Sequence, residues 1–114
     1  MVDDPPRVDI VRVTNTTIYQ TSGQCTPTES YFEAIATDDR EVRSATISWS
    51  SRSGDGSADM VLDSGSWYGT VGPFSDVRGT RDVVDVTVSA QDSANQTGSA
   101  SYTVTVVYGI YPDC

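Results

Sequence analysis

Hydrophobic and polar positions alternate along most of this chain. In "DVVDVTVSAQD", Val84, Val86, Val88 and Ala90 share one face, and Asp85, Thr87 and Ser89 take the other. "SASYTVTVVY" repeats the pattern with Ala100, Tyr102, Val104, Val106 and Tyr108, and "SATISWS" sets Ala45, Ile47 and Trp49 against Thr46, Ser48 and Ser50. A period of two over six or more residues is the mark of a half-buried strand. Thr, Val, Tyr and Ser dominate these runs and Leu62 is the one leucine, so no segment favours a helix.

Turn-forming residues divide the remainder. The pattern predicts strands over 7–14 (resuming at 17–20), 30–37, 43–50, 58–63, 67–74, 82–91 and 99–108. Phe32, Ala34 and Ala36 are expected to face inward, as are Met60 and Leu62. "SRSGDG" at 51–56 reads as a hairpin connection in which Gly54 and Gly56 supply positive φ. Seven short strands with turn signals about every ten residues predict an all-β fold: one domain, a seven-stranded Greek-key β-sandwich of immunoglobulin-like type. Such a sandwich buries a tryptophan on its third strand, and Trp49 lies there, so it is expected in the core.

The 114 residues suit one domain, assigned to 7–114, with 1–6 read as a linker carrying an added start residue. The net charge is −9, and all 7 basic residues are arginine. That balance disfavours nucleic acid and anionic membrane surfaces. No apolar run approaches the roughly 20 residues that span a bilayer, so no membrane insertion by this segment is expected. His is absent, which removes the commonest general base and metal ligand, and Lys is absent too. The chain is therefore read as non-enzymatic, without a cofactor, and monomeric.

Cys25 precedes the second expected strand and Cys114 follows the last. Neither lies in mid-strand, so the pair does not match the inter-sheet bridge of antibody domains. A metal site would need more ligands, and a reactive thiol would need a base and a basic setting. The remaining reading is an intramolecular disulfide clasp. Closing a loop of roughly 90 residues stabilises by about 4–5 kcal/mol in the chain-entropy model. It implies an oxidising, extracellular or cell-surface location.

Taken in order, "DDPPRV", "IYQTSGQC", "EAIATDDREV", "ATISWS", "WYGTVGPF", "VSAQDSANQTGSASYTVTV" and a closing cysteine resemble the small immunoglobulin-like domains of actinobacterial exported and membrane-anchored proteins, across roughly residues 3 to 114. The chain departs from their usual "AGN" turn by carrying Ala94 in place of glycine. The resemblance implies a display, spacing or protein-contact module of a larger bacterial surface protein. Any anchor would lie upstream of "DDPP". The alternatives are an accessory carbohydrate-binding module and a small-molecule carrier, so the partner class is a protein or a glycan.

Two candidate sites follow. Asp38, Asp39, Asp92 and Asn95 lie in loops expected at one end of the sandwich, where oxygen ligands can hold calcium. Asp and Asn are also ordinary turn residues, and no Asp-x-Asp-x-Asp-Gly spacing is present, so turn-making is favoured and no metal is assigned. The second candidate is an aromatic contact surface from Trp67 and Tyr68 with Tyr19, Tyr31, Tyr108 and Tyr111. Strand alternation puts Trp67 or Tyr68 inside, but not both.

Overall fold

The computed structural model describes residues 5–38, 41–75, 77, 79–112 and 114. Among them the chain forms nine strands: β1 Arg7–Val13, β2 Thr17–Tyr19, β3 Ser30–Thr37, β4 Val42–Ser50, β5 Gly56–Asp59, β6 Val61–Asp63, β7 Ser66–Val71, β8 Arg81–Asp92 and β9 Thr97–Val107. A single 3₁₀ turn covers Thr21–Gly23. None of the described residues forms a helix long and apolar enough to cross a membrane.

The strands build two sheets, one ordered β1-β3-β7-β6 and the other β2-β9-β8-β4-β5. The core lies between them. Val84, Val86, Val88 and Ala90 of β8 are buried, as the alternation requires, and meet Ala45 and Ile47 of β4 and Val104 and Val106 of β9 within their own sheet. The facing sheet contributes Phe32, Ala34, Trp67 and Val71. Ala36 is partly buried against this cluster.

The expected count of seven strands becomes nine among the described residues. The first segment divides into β1 and β2, which belong to opposite sheets: β1 pairs antiparallel with β3, and β2 runs parallel to β9. The 58–63 segment divides in the same way. β5 pairs with β4, Met60 is buried at the crossing, and β6 pairs with β7 in the other sheet. Passage of a strand between sheets depends on tertiary packing, and a local two-residue period carries no sign of it.

Two side-chain expectations and one backbone expectation also change. Leu62 is 54% exposed, because β6 is the outermost strand of its sheet. Trp49 is half-buried at the rim of the core rather than inside it. Its indole lies over Gly56, where any Cβ would collide with the ring. Gly56 is thus required for space and takes no positive φ; of the two hairpin glycines, only Gly54 does (φ +154°).

The two poles differ. At one, Ser93 N donates to Glu41 O at 3.0 Å, joining the β8–β9 turn to the β3–β4 connection. Pro6, assigned to the linker by sequence, is buried here, its carbonyl against Gly98. At the other pole, Gln20 N donates to Val107 O (3.3 Å), Thr21 N to Phe74 O (2.8 Å) and Tyr108 N to Thr80 O (2.9 Å). These bonds gather the 3₁₀ turn, the β7–β8 connection and the tail after β9.

Candidate functional site

Cys25 and Cys114 are joined by a disulfide with a Cα–Cα separation of 5.7 Å. Cys25 is buried under the tail. Tyr111 N donates to Gly23 O at 2.7 Å, and Gly23 lies so close to the Gly109 carbonyl that neither alanine nor anything larger fits at 23. A Cβ on Gly109 would meet the Tyr19 ring at 2.8 Å and Cys25 Sγ at 3.2 Å. The clasp therefore rests on two glycines that let the tail pack directly on the 3₁₀ turn, the Tyr19 ring and the Cys25 sulfur.

The calcium candidates take different roles. Asp92 is fully buried, and its Oδ1 accepts from Ala94 N and Gln96 N, each at 2.9 Å. Asn95 is exposed and takes φ +65°, so the left-handed position of this turn falls on Asn95 and not on residue 94. Ala94 is accommodated for that reason, since Asn tolerates this conformation better than most residues. Asp38 is half-buried at the same pole, and Asp39 lies outside the described residues. The described residues contain no cluster of three or more Asp, Glu, Cys or His side chains placed to hold a metal. Asp92 works as the organiser of its turn.

A second carboxylate does similar work at the opposite pole. Asp82 is buried on the same face of β8 as Val84. Its Oδ2 accepts from Ser53 N and Ser53 Oγ, both at 2.8 Å; Oδ1 accepts from Val83 N at 2.9 Å and from Arg52 Nε at 3.4 Å. Burial pushes the carboxyl upward, but the bonds from Ser53, Arg52 and Val83 outweigh it and hold the group below its ordinary value of 3.8. A lowered folded-state pKa stabilises the protein above the unfolded value and ceases to do so as pH falls through the folded one. Asp82→Asn is therefore expected to destabilise by about 1–2 kcal/mol at pH 7. The gap to the parent should close as pH drops below about 4. Urea titrations of both proteins from pH 7 to pH 2 check this, and a gap unchanged at pH 2 would contradict it. The 51–55 turn that Asp82 anchors borders a polar cleft of about 710 Å³ shared with Ser75 and Val77.

The aromatic candidates resolve through strand register. Trp67 is 8% exposed and belongs to the core, so it is withdrawn as a contact residue; Tyr68, its outward neighbour, is 41% exposed. On the outer face of the four-stranded sheet, Arg12, Glu33, Tyr68 and Val61 form one row across β1, β3, β7 and β6. Tyr31 stands opposite Thr70, which makes Tyr31 and Tyr68 diagonal neighbours. Diagonal positions lie about 7–8 Å apart, within reach of aromatic side chains. Ser66 Oγ donates to Glu33 Oε2 at 2.9 Å. Arg12, Thr14, Tyr31, Glu33 and Tyr68 line a shallow hollow of about 220 Å³. Arg12, Thr14 and Glu33 carried no functional signal in the sequence, because their meeting depends on the β1–β3–β7 register.

The other candidate tyrosines do not extend this surface. Tyr19 is half-buried against Gly109, and Tyr108 and Tyr111 are exposed on the clasped tail. The other outer face carries hydroxyls: Ser101, Thr87, Ser48 and Ser57 form one row across β9, β8, β4 and β5.

No protein-family model and no curated protein matches the chain. Among solved structures, a crystal structure of an engineered protein from the Northeast Structural Genomics Consortium is similar, at 18% identity and a TM-score of 0.49. The alignment covers 92% of this chain and 20% of that one, so the chain spans about a fifth of that protein's length.

Proposed function

We propose that this chain is an immunoglobulin-like module of an exported bacterial surface protein, acting without catalysis as a display spacer. The strand order supports the fold assignment. β1, β3, β7 and β6 stand where the A, B, E and D strands of such a sandwich stand, and β4, β8 and β9 where C, F and G do. β5 and β2 extend the second sheet at its two edges. The Cys25–Cys114 bridge supports an oxidising location.

One observation carries the spacer reading. Pro6 meets Gly98 at one pole, and Cys114 is clasped to Cys25 at the opposite pole. The body between has a long axis of 58 Å against 27 and 16 Å in the other directions. If such modules are joined end to end, ends held at opposite poles make each one added length. A carrier of apolar ligands has less support: the larger cleft is lined by Ser51, Arg52, Ser53 and Asp55. The apolar hollow, about 220 Å³, falls short of the ~300–1,000 Å³ of drug-sized sites.

The test is a tandem of two copies joined through residues 1–6. Small-angle X-ray scattering should show a maximum dimension longer than the single copy's by nearly the 58 Å long axis. A tandem that stays close to the single-copy dimension, with the copies side by side, would overturn the spacer reading.

A further inference from the structure

The hollow on the outer face of the four-stranded sheet has the makings of a small recognition site. It stands independently of the spacer reading, since neither the poles nor the clasp contribute to it. Tyr31 and Tyr68 offer two exposed rings at diagonal positions. Arg12 lies directly across from Glu33 in the β1–β3 register, so a guanidinium and a carboxylate share the edge of the same hollow. Glu33 accepts the Ser66 hydroxyl at Oε2, and a carboxylate has acceptor capacity beyond one such bond. The site thus presents two aromatic walls, a fork of donors and a carboxylate acceptor.

We infer that this hollow binds a neutral sugar ring, the exposed pyranose of a glycan, with the ring's C–H face on Tyr31 and Tyr68 and its hydroxyls held between Arg12 and Glu33.

Three features select that occupant. A pyranose has an apolar face and a polar rim, which suits amphipathic rings bordered by charged hydrogen-bonding groups. Each sugar hydroxyl both donates and accepts, so a vicinal pair satisfies a guanidinium and a carboxylate together. Charge decides the rest. Arg12 and Glu33 cancel locally, while the whole chain carries −9, a field that disfavours acidic sugars and phosphorylated ligands. The volume of about 220 Å³ suits a single ring and not a bound length of polymer. A ligand of that size on an open surface binds weakly, with a Kd on the order of 1 mM.

The experiment is saturation-transfer difference NMR with ¹⁵N-shift mapping on the intact, oxidised domain. The probes are the methyl pyranosides of glucose, galactose, mannose and N-acetylglucosamine, with methyl glucuronide as the acidic comparison. At least one neutral glycoside should shift amides of Arg12, Tyr31, Glu33 and Tyr68 and give transfer to its ring protons. Tyr68→Ala should weaken that binding at least about tenfold. Arg12→Gln, which leaves both rings in place, should weaken it about fivefold or more. Each variant is checked by its unchanged amide spectrum away from the hollow. Silence from all four neutral glycosides at tens of millimolar would overturn the proposal. So would shifts centred elsewhere, or tighter binding of the glucuronide, which would make the hollow an anion site. A protein ligand that occupies the hollow while no glycoside does would assign the face to protein contact instead.

Discussion

Replacing both cysteines, Cys25→Ala with Cys114→Ala, is expected to destabilise the domain by about 4–5 kcal/mol, the loop-closure value for a separation of 89 residues. For a chain of this size that corresponds to a fall in Tm of about 15–25 °C. The local structure adds to the effect. Without the bridge, the tail keeps the Tyr111–Gly23 hydrogen bond and the glycine contacts, while Tyr108, Ile110 and Tyr111 are each at least half exposed. The tail should therefore fray, and limited proteolysis should cut within 108–112 before the body unfolds. Calorimetry of the variant, with the parent under reducing agent as comparison, measures the change. A loss below about 1 kcal/mol would mean that the unfolded chain is not restrained by the bridge in the way the loop model requires.

Phe32→Ala is expected to destabilise by about 3–5 kcal/mol, the upper range for emptying a buried aromatic site. Phe32 is almost fully buried on β3, and its ring meets the Tyr102 ring edge-on, with centroids 5.8 Å apart and planes at 85°. Little can collapse into the space it would leave. Its partner on β7 is Gly69, which has no side chain to offer, and Ile47 already fills the room above that glycine. Tyr102 is partly exposed, so Tyr102→Ala should be milder, about 1–2 kcal/mol, with most of it the lost edge contact and burial. Chemical denaturation of the two variants separates the cases. Equal losses would show that the ring pair, and not the filled core, carries the stability. A domain of this size has about 5–15 kcal/mol in total, so Phe32→Ala combined with the cysteine replacements should leave little folded protein at 25 °C.

The comparison of sequence with structure has a clear physical division. Wherever a strand is long and buried on one face, alternation located it closely: β3 occupies 30–37 as read, and β8 buries Val84, Val86, Val88 and Ala90 together. The clasp was legible because only two cysteines exist and both sit outside strands. Edge strands were misread. The period that places Leu62 inward holds in β6, but there is no second sheet beyond the edge to cover it. Met60 looked like the middle of a strand and is the point where the chain changes sheets. The tyrosine hollow was half visible. Alternation allowed one of Trp67 and Tyr68 to face out, but the union of Arg12, Glu33 and Tyr68 joins three strands from distant parts of the chain. Asp92 read as a loop acid and Asp82 drew no separate notice at the start of its strand, and each is a buried hub for backbone N–H groups.

The placement of the bridge also sets how the domain would carry tension. Consider a pull applied between the start of β1 and Cys114. Force entering at Arg7 runs along β1, β2 and the 3₁₀ turn to Cys25, then crosses the covalent bond directly to Cys114. Everything between those two residues, including β3 to β9, lies off the load path. Only the short leading segment can be drawn out, by peeling β1 from β3 and sliding β2 along β9. The rest would stay folded under a load applied between Arg7 and Cys114, and the domain would behave as a tether of nearly fixed length.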